Sequence, residues 1–192
     1  MPSCWVSGEA SGALRAVVTA YKDEDRRDLA PHLVGWLAPA LRAVAGEDPL
    51  ARGALGGRGL VVVPVTGSPR ARRRRGDVPL LPLVGGAARS LTGRVVVAAV
   101  LAPTRTTADQ STLDAAGRAA NVGSAMTVRE RHIRVVGGAV CVVVDDLVTT
   151  GATLAEASRA LHEAGAAHVV GAAIGATRRR LRTATDAPGP RG

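Results

Sequence analysis

The sequence predicts an α/β fold in which a mostly parallel, open sheet is flanked by helices. Runs of β-branched residues, long enough for buried strands, alternate with segments whose apolar residues recur at helical spacing. Hydrophobic residues make up 46% of the 192 positions and are mainly aliphatic, since Trp5, Trp36 and Tyr21 are the only aromatics. Cys4 and Cys141 are too few for a disulfide framework or a cysteine-rich zinc site. These features favour one core of Val, Leu and Ala packed between sheet and helices.

The first elements are a helix and a strand. Apolar residues at helical spacing predict a helix over residues 28–45, with Asp28 as its N-cap and a kink at Pro39. The run "LVVVPV", 60–65, predicts a buried strand that leads into an arginine-rich loop. Residues 83–91 complete a possible second helix after two prolines.

The second half repeats the alternation. It predicts strands at 94–101, 138–146 and 168–176, a helix around 113–120, and a helix over 153–164 that Gly165 ends. We expect an N-terminal extension without a zinc module over residues 1–20, one domain over 21–180 and a disordered tail over 181–192.

The chain is strongly basic, with a formal net charge of +9 and a pI near 11.3. This charge favours an anionic partner such as a phosphate compound, a nucleic acid or an acidic surface. No segment reaches the roughly 18 uninterrupted apolar residues of a membrane span, so we expect no span and a cytoplasmic location. The P-loop pattern of nucleotide triphosphatases is absent.

The segment "VVVDDLVTTGAT", 142–153, carries the clearest chemical signal. Asp145 and Asp146 are expected at the carboxyl end of a parallel strand, where open α/β sheets bind ligands. Two carboxylates ~5 Å apart repel by about 3 kcal/mol at an effective dielectric of ~20, so sugar hydroxyls, a cation or a neighbouring arginine must offset them. The following "TTGAT" offers hydroxyls and backbone N–H groups at a helix N-terminus, which suits an anion. Together they predict a site for a ribose carrying a 5′-phosphate.

This segment also resembles the phosphoribosyl diphosphate (PRPP) signature of type I phosphoribosyltransferases. Other segments are similar to the ComF-like branch, the competence-protein relatives of amidophosphoribosyltransferase. These are "YK" at Tyr21 and Lys22, "VPV" before the arginine-rich loop, "RTTADQSTLDAAGRAANV" at 105–122 and "LHEAGAAHVV" after the signature. The resemblance covers about residues 21–178 and implies the type I phosphoribosyltransferase fold with a small N-terminal hood.

The resemblance implies a role for each matching residue. Asp145 and Asp146 would contact the ribose hydroxyls, and the 5′-phosphate would be held by Thr149, Thr150, Gly151, Ala152 and Thr153. The pyrophosphate loop would comprise Thr66, Gly67 and Arg70. Arg105, the candidate catalytic residue, would lie on or near a flexible loop that closes over the site. Mg²⁺ would sit mainly on the pyrophosphate and ribose oxygens of PRPP, with no metal held by protein ligands alone. The reaction would displace pyrophosphate from C1 of the ribose.

The sequence also departs from the family pattern. An acid that handles the base proton in many purine phosphoribosyltransferases is replaced by Thr149, which disfavours purine salvage. The cysteine-rich zinc module of ComF-like proteins is not supplied by Cys4 alone. The arginine-rich loop continues as "RGDVPL" instead of Gly-Phe-Asn-Gln, so a contact near residues 77–79 is lost or replaced.

Two functions stay open at this point. One is a Mg²⁺-dependent phosphoribosyltransferase, or a protein that binds PRPP or a ribose-5-phosphate nucleotide, with an unknown acceptor. The other is a non-catalytic competence factor that binds single-stranded DNA through the arginine clusters at 70–75 and 178–182. The scarcity of aromatic residues disfavours the second, because single-strand binders usually stack bases on them. Dimers are common among relatives, so a homodimer is a further expectation.

Overall fold

The computed structural model of the protein describes residues 1–65, 78–104 and 126–177. Within these ranges the helices are α1 (Gly12–Asp23), α2 (Ala30–Glu47), α3 (Pro49–Gly56), α4 (Leu80–Ala88), α5 (Ile133–Val136) and α6 (Ala152–Glu163). The strands are β1 (Cys4–Val6), β2 (Leu60–Pro64), β3 (Val95–Val97), β4 (Leu101–Pro103), β5 (Met126–Val128), β6 (Val140–Val148) and β7 (His168–Ala176).

Five of the described strands form one sheet in the order β1-β7-β6-β2-β3, and all neighbours are parallel. Val142 in β6 lies beside Val62 in β2 and Val170 in β7, so three central strands share a valine-rich layer. Their residues are almost all buried, as expected for parallel strands with both faces covered. The predicted α/β architecture is confirmed.

The strand order reverses between β2 and β6. From β2 the chain moves outward to β3 and then returns to the other side of β2, where β6 and β7 follow. Neighbouring strands whose connections leave in opposite directions open a crevice at their carboxyl ends, where ligands of open α/β sheets bind. The segment singled out by its sequence, 142–153, begins in β6 beside this crevice.

Helices cover the sheet and close the core. Helix α2 packs on β1, β7 and α4, while α6 packs on β6 and β7. The apolar stripe of α2 lies fully in the core and consists of Leu33, Leu37, Leu41 and Val44. Among the described residues, no helix is long and apolar enough to cross a membrane.

The end of the sheet away from this crevice is held by a polar contact. The Asp48 carboxylate caps α3 by accepting the Ala51 N–H at 2.8 Å, and its other oxygen lies 3.0 Å from His168 Nε2 at the start of β7. Burial opposes ionisation of Asp48, but these hydrogen bonds and the histidine hold its pKa below the usual value.

The predicted strands at 60–65, 138–146 and 168–176 and the helix at 153–164 are confirmed with small shifts of their ends. The predicted strand at 94–101 is wrong in extent, since β3 stops at Val97 and Leu101 begins β4 in a separate antiparallel pair with β5. The Val100 N–H donates to the Ala98 carbonyl at 3.0 Å, and this tight turn redirects the chain.

The predicted cap of the long helix is also wrong. A 3₁₀ turn at Arg27–Leu29 precedes α2, and Leu29 occupies its N-cap without a side-chain hydrogen bond. Asp28 pairs instead with Arg26, whose guanidinium donates two hydrogen bonds to its carboxylate. Pro39 lies inside α2, which continues on both sides of it.

Candidate functional site

The acid pair lies where β6 extends beyond its neighbour β2. The last paired residues of these strands are Pro64 and Val144, whereas β6 continues to Val148. Asp145 and Asp146 are therefore the first residues of β6 past the end of β2, at the crevice between the two strands. The strand does not end on the carboxylates, as the sequence suggested, because pairing with β7 continues through Val148.

The Asp145 and Asp146 side chains leave β6 in opposite directions, because consecutive residues of a strand alternate, but their carboxylates come close enough to share a side-chain hydrogen bond. Asp146 lines a small cavity under α1, α2 and α4, together with Tyr21, Lys22 and Ile174. Asp145 pairs in register with Ala173 of β7. Its negative charge contributes to the raised pKa of Cys4 in β1, which is about 12 and is caused first by burial.

Asp146 is a buried acid, 8% exposed, with hydrogen bonds to both carboxylate oxygens. Oδ1 accepts the Leu147 N–H at 2.7 Å, and Oδ2 accepts from Lys22 Nζ. We predicted from the sequence that a partner offsets the repulsion between the two acids, with an arginine among the candidates. The described structure supplies a lysine from α1 instead.

Sequence reasoning assigned no role to Lys22. It is the only lysine in the chain and follows Tyr21 in the "YK" pair, but no spacing rule connects it to an acid 124 residues away. Its neighbour Tyr21 is buried, and the Tyr21 hydroxyl donates to the Pro79 carbonyl at 2.9 Å, just before α4. The guanidinium of Arg27 lies 5.1 Å from the centre of the same ring. These contacts fix the end of α1 from which Lys22 extends.

Asp145 has an environment that favours its neutral form. Burial and the negative charge of Asp146 raise its pKa from 3.8 to about 7, although the Asp146 N–H and Lys22 act in the opposite direction. Asp145 Oδ1 accepts that N–H at 2.9 Å. A ligand that brings hydrogen-bond donors or positive charge stabilises the ionised form of this carboxyl.

The turn after β6 has the features of an anion cradle. Thr149, Thr150, Ala152 and Thr153 are exposed around Gly151, which adopts a left-handed conformation at φ +77°. Helix α6 begins at Ala152 with Gly151 as an N-cap that has no side chain to accept a hydrogen bond. The Ala152 N–H donates to Thr150 Oγ1 at 3.3 Å, and the 12-residue helix directs the positive end of its dipole towards the acid pair.

The outer face of α6 holds the start of β5. Glu156 Oε1 accepts the Met126 N–H at 2.9 Å, and Arg159 donates to the Met126 carbonyl at 2.8 Å. Pro103 lies opposite Met126 in the β4–β5 pair and has no N–H with which to bond that carbonyl. The helix that begins at the threonine turn therefore anchors a strand at the end of the range 105–125.

The structure brings together seven of the predicted site residues in one continuous segment, Asp145, Asp146, Thr149, Thr150, Gly151, Ala152 and Thr153. The remaining predictions, Thr66, Gly67, Arg70 and Arg105, lie outside the described residues, as do the arginine clusters at 70–75 and 178–182. Within residues 1–65, 78–104 and 126–177, no group of three or more His, Cys, Asp or Glu residues is arranged to hold a metal ion.

In a comparison with protein-family models, the phosphoribosyl transferase domain matches residues 81–188, more than half of the chain. A search of curated proteins finds no significant match.

Several solved structures are similar over most of this chain. The allosteric regulatory enzyme of purine biosynthesis is 22% identical with a TM-score of 0.44 over 76% of this chain, which spans 25% of that enzyme's length. An asparagine mutant made to analyse an invariant aspartic acid in HPRTs is 13% identical, with a TM-score of 0.49 over 80% of this chain and 70% of its own. The hypoxanthine phosphoribosyltransferase of Trypanosoma cruzi is 15% identical, with a TM-score of 0.45 over 80% and 72%.

Proposed function

We propose, because the chain belongs to the phosphoribosyltransferase family, that its site binds PRPP and that an acceptor molecule displaces pyrophosphate from the ribose. One observation carries this proposal: the acid pair and the threonine turn adjoin each other at the crevice between β2 and β6. The carboxylates can accept hydrogen bonds from sugar hydroxyls, and the neighbouring turn can donate hydrogen bonds to a phosphate. This combination matches a ribose 5-phosphate group.

The two halves of the site divide the ligand between them. The carboxylates of Asp145 and Asp146 accept hydrogen bonds from the 2′- and 3′-hydroxyls of the ribose. The 5′-phosphate binds at the turn, where the hydroxyls of Thr149, Thr150 and Thr153 surround the first N–H groups of α6. Gly151 permits the left-handed bend that directs these groups to one point.

The proposed reaction changes two bonds at C1 of the ribose. A bond forms between C1 and the acceptor, while the bond from C1 to the pyrophosphate oxygen breaks and the pyrophosphate leaves with the electron pair. The acceptor loses a proton, and the carbon passes through a state with positive character. Negative groups below the ribose, such as the Asp145 and Asp146 carboxylates, favour that charge.

Mg²⁺ belongs to the proposal as a companion of PRPP, whose pyrophosphate and ribose oxygens are the hard ligands that this ion prefers. The ion neutralises charge on the departing pyrophosphate. The fit to this chain is supported by the carboxylates of Asp145 and Asp146 and the hydroxyls of the threonine turn, which are oxygen ligands. Thr66, Gly67 and Arg70 remain proposed for the pyrophosphate, and Arg105 for a segment that covers the site.

The acceptor is not identified, and the activity of the much longer purine-biosynthesis enzyme does not transfer to a chain that spans a quarter of it. The competence-factor hypothesis, with single-stranded DNA bound by the arginine clusters, also stays a prediction, since those clusters lie outside the described residues.

Calorimetric titration with PRPP and Mg²⁺ tests the proposal. Wild-type protein is expected to bind saturably, and the Asp145→Asn/Asp146→Asn double variant is expected to lose about 100-fold or more in affinity, because each hydrogen bond to a charged group contributes about 1.5–3 kcal/mol. Asp28→Asn is the matched control, since it removes an exposed carboxylate outside the site. Absence of binding by folded wild-type protein at millimolar PRPP contradicts the proposal.

A second titration, with single-stranded DNA, distinguishes the alternative. A PRPP-binding protein retains its PRPP affinity when Arg72–Arg75 are neutralised. A DNA-binding protein loses DNA affinity in that variant, and its wild-type affinity falls steeply with salt in proportion to the phosphates contacted.

A further inference from the structure

The ion pair between Lys22 and Asp146 connects α1 to the candidate site. Asp146 is buried, and a buried carboxylate without a partner is strongly destabilising. A basic side chain opposite Asp146 is therefore a condition for keeping an ionised acid at this position.

The pair also sets the orientation of the carboxylate. Oδ1 of Asp146 is held by the Leu147 N–H at 2.7 Å and Oδ2 by Lys22 Nζ, so rotation about the last side-chain bond is restricted. A carboxylate accepts about four hydrogen bonds. The two protein donors thus fix the group and leave lone pairs for a ligand hydroxyl.

Lys22 is held in place from its own side. The buried ring and bonded hydroxyl of Tyr21 anchor the last turn of α1 to Pro79, and Lys22 is the next residue. Its side chain is 34% exposed, so the ammonium group is accessible from solvent. An ammonium has three N–H donors, and the pair with Asp146 uses one of them.

We infer that Lys22 is a positioning residue of the PRPP site, which orients the Asp146 carboxylate towards a ribose hydroxyl and keeps a fixed cation beside the anionic ligand. This inference rests on the proposed function. Lys22 also lowers the cost of ionising Asp145, since its charge acts on both acids. An ion pair that only fastened α1 to the sheet would affect unfolding but not ligand affinity, and the two roles can be separated.

The first test uses the unmodified protein. Because Lys22 is the only lysine, an amine-reactive ester modifies one side chain, and mass spectrometry of its peptide gives the rate. PRPP with Mg²⁺ at ~10 times the dissociation constant is expected to slow this reaction by at least about fivefold. Asp146→Asn is expected to speed it in the absence of ligand, because the amine loses its partner. An unchanged rate with bound PRPP overturns the inference.

The second test compares variants by calorimetry. Lys22→Met is expected to weaken PRPP binding by about tenfold or more, and Lys22→Arg to restore it to within about threefold, since the charge returns. Arg26→Met, which removes an exposed cation from the segment after α1, is the matched control and should bind as wild type does.

The outcomes separate the two proposals. Wild-type protein that does not bind PRPP overturns both. Wild-type binding with equal affinity in folded Lys22→Met overturns the role of Lys22 and leaves the proposed function standing. If Lys22→Met does not fold, the labelling rates of the wild-type protein with and without PRPP test the role of Lys22.

Discussion

Asp145 and Asp146 are consecutive in β6 and their carboxylates share a side-chain hydrogen bond, yet among the described residues it is Asp146 that forms the ion pair with Lys22. Asp146 is buried and its carboxylate contacts the Lys22 side chain. Asp145 is unpaired with any described cation at short range, and burial together with its neighbour's charge raises its pKa to about 7. We therefore expect substitutions of the two acids to have different effects.

Removing the charge of Asp145 should stabilise the protein at alkaline pH. Because its pKa rises from 3.8 in the unfolded chain to about 7 on folding, the protonated form favours the folded state. This contribution is full below pH 3.8 and is lost as the pH rises through 7. At pH 8 we expect Asp145→Asn to raise the free energy of unfolding by about 1–3 kcal/mol in urea titrations. Equal stability of both proteins from pH 4 to 8 would contradict this.

Binding of PRPP should release protons near neutral pH. Ligand hydroxyls favour the ionised form of Asp145, so the affinity should rise as the pH passes through about 7 and level off above it. Calorimetry in two buffers with different ionisation enthalpies counts the protons. Asp145→Asn should release fewer protons than wild type, whereas Asp28→Asn should release the same number.

Gly151 should be needed for binding beyond its effect on stability. At φ +77°, Gly151→Ala is expected to cost about 1–2 kcal/mol of unfolding free energy and to weaken PRPP binding by about tenfold or more, because the turn must shift and the new Cβ would displace the Met1 side chain. Gly165, at φ +90° beyond the other end of α6, provides the control. Gly165→Ala should lose similar stability but keep its PRPP affinity, and a similar loss of affinity in both variants would refute a local role for Gly151.

Asp48 should contribute to stability but not to binding. Asp48→Ala loses the α3 cap and the contact with His168, with an expected cost of about 1–3 kcal/mol, while Asp48→Asn should cost less because Asn also caps helices. Its lowered pKa means that the stabilisation is present above pH 3.8 and lost as the pH falls further. Urea unfolding at pH 7 and pH 3 measures both effects, and PRPP titration should give the wild-type affinity.

The contact between α6 and β5 should protect one amide. In Glu156→Ala the Met126 N–H loses its acceptor, so its hydrogen exchange should be about tenfold faster or more. Glu163→Ala is the control, because Glu163 is an exposed partner of Arg159 and does not contact Met126. Equal exchange in Glu156→Ala and wild type would show that the β4–β5 pair holds Met126 without α6.

Local patterns were enough to predict the central strands, because the valine runs of β2 and β6 are buried in the sheet. The acid pair and the threonine turn were also readable, since adjacent residues carry the chemistry. Lys22 was not, because its partner is fixed by the packing of α1 and α4 rather than by any spacing. β1 was missed for a related reason: three residues, "CWV", become a strand only through pairing with Gly171, Ala172 and Ala173 in β7.

Because β6 extends beyond β2, the stability of the site depends on the first residues of the chain. Among the described strands, Asp145–Val148 pair with β7 alone, and β7 is bordered by β1, while α1 reaches Asp146 through Lys22. We expect the site and the N-terminal segment to open together more readily than β2 separates from β3. By thermodynamic reciprocity, we expect a ligand that binds at the turn after β6 to strengthen the attachment of β1 and α1, and a lesion in β1 to weaken the affinity of the site.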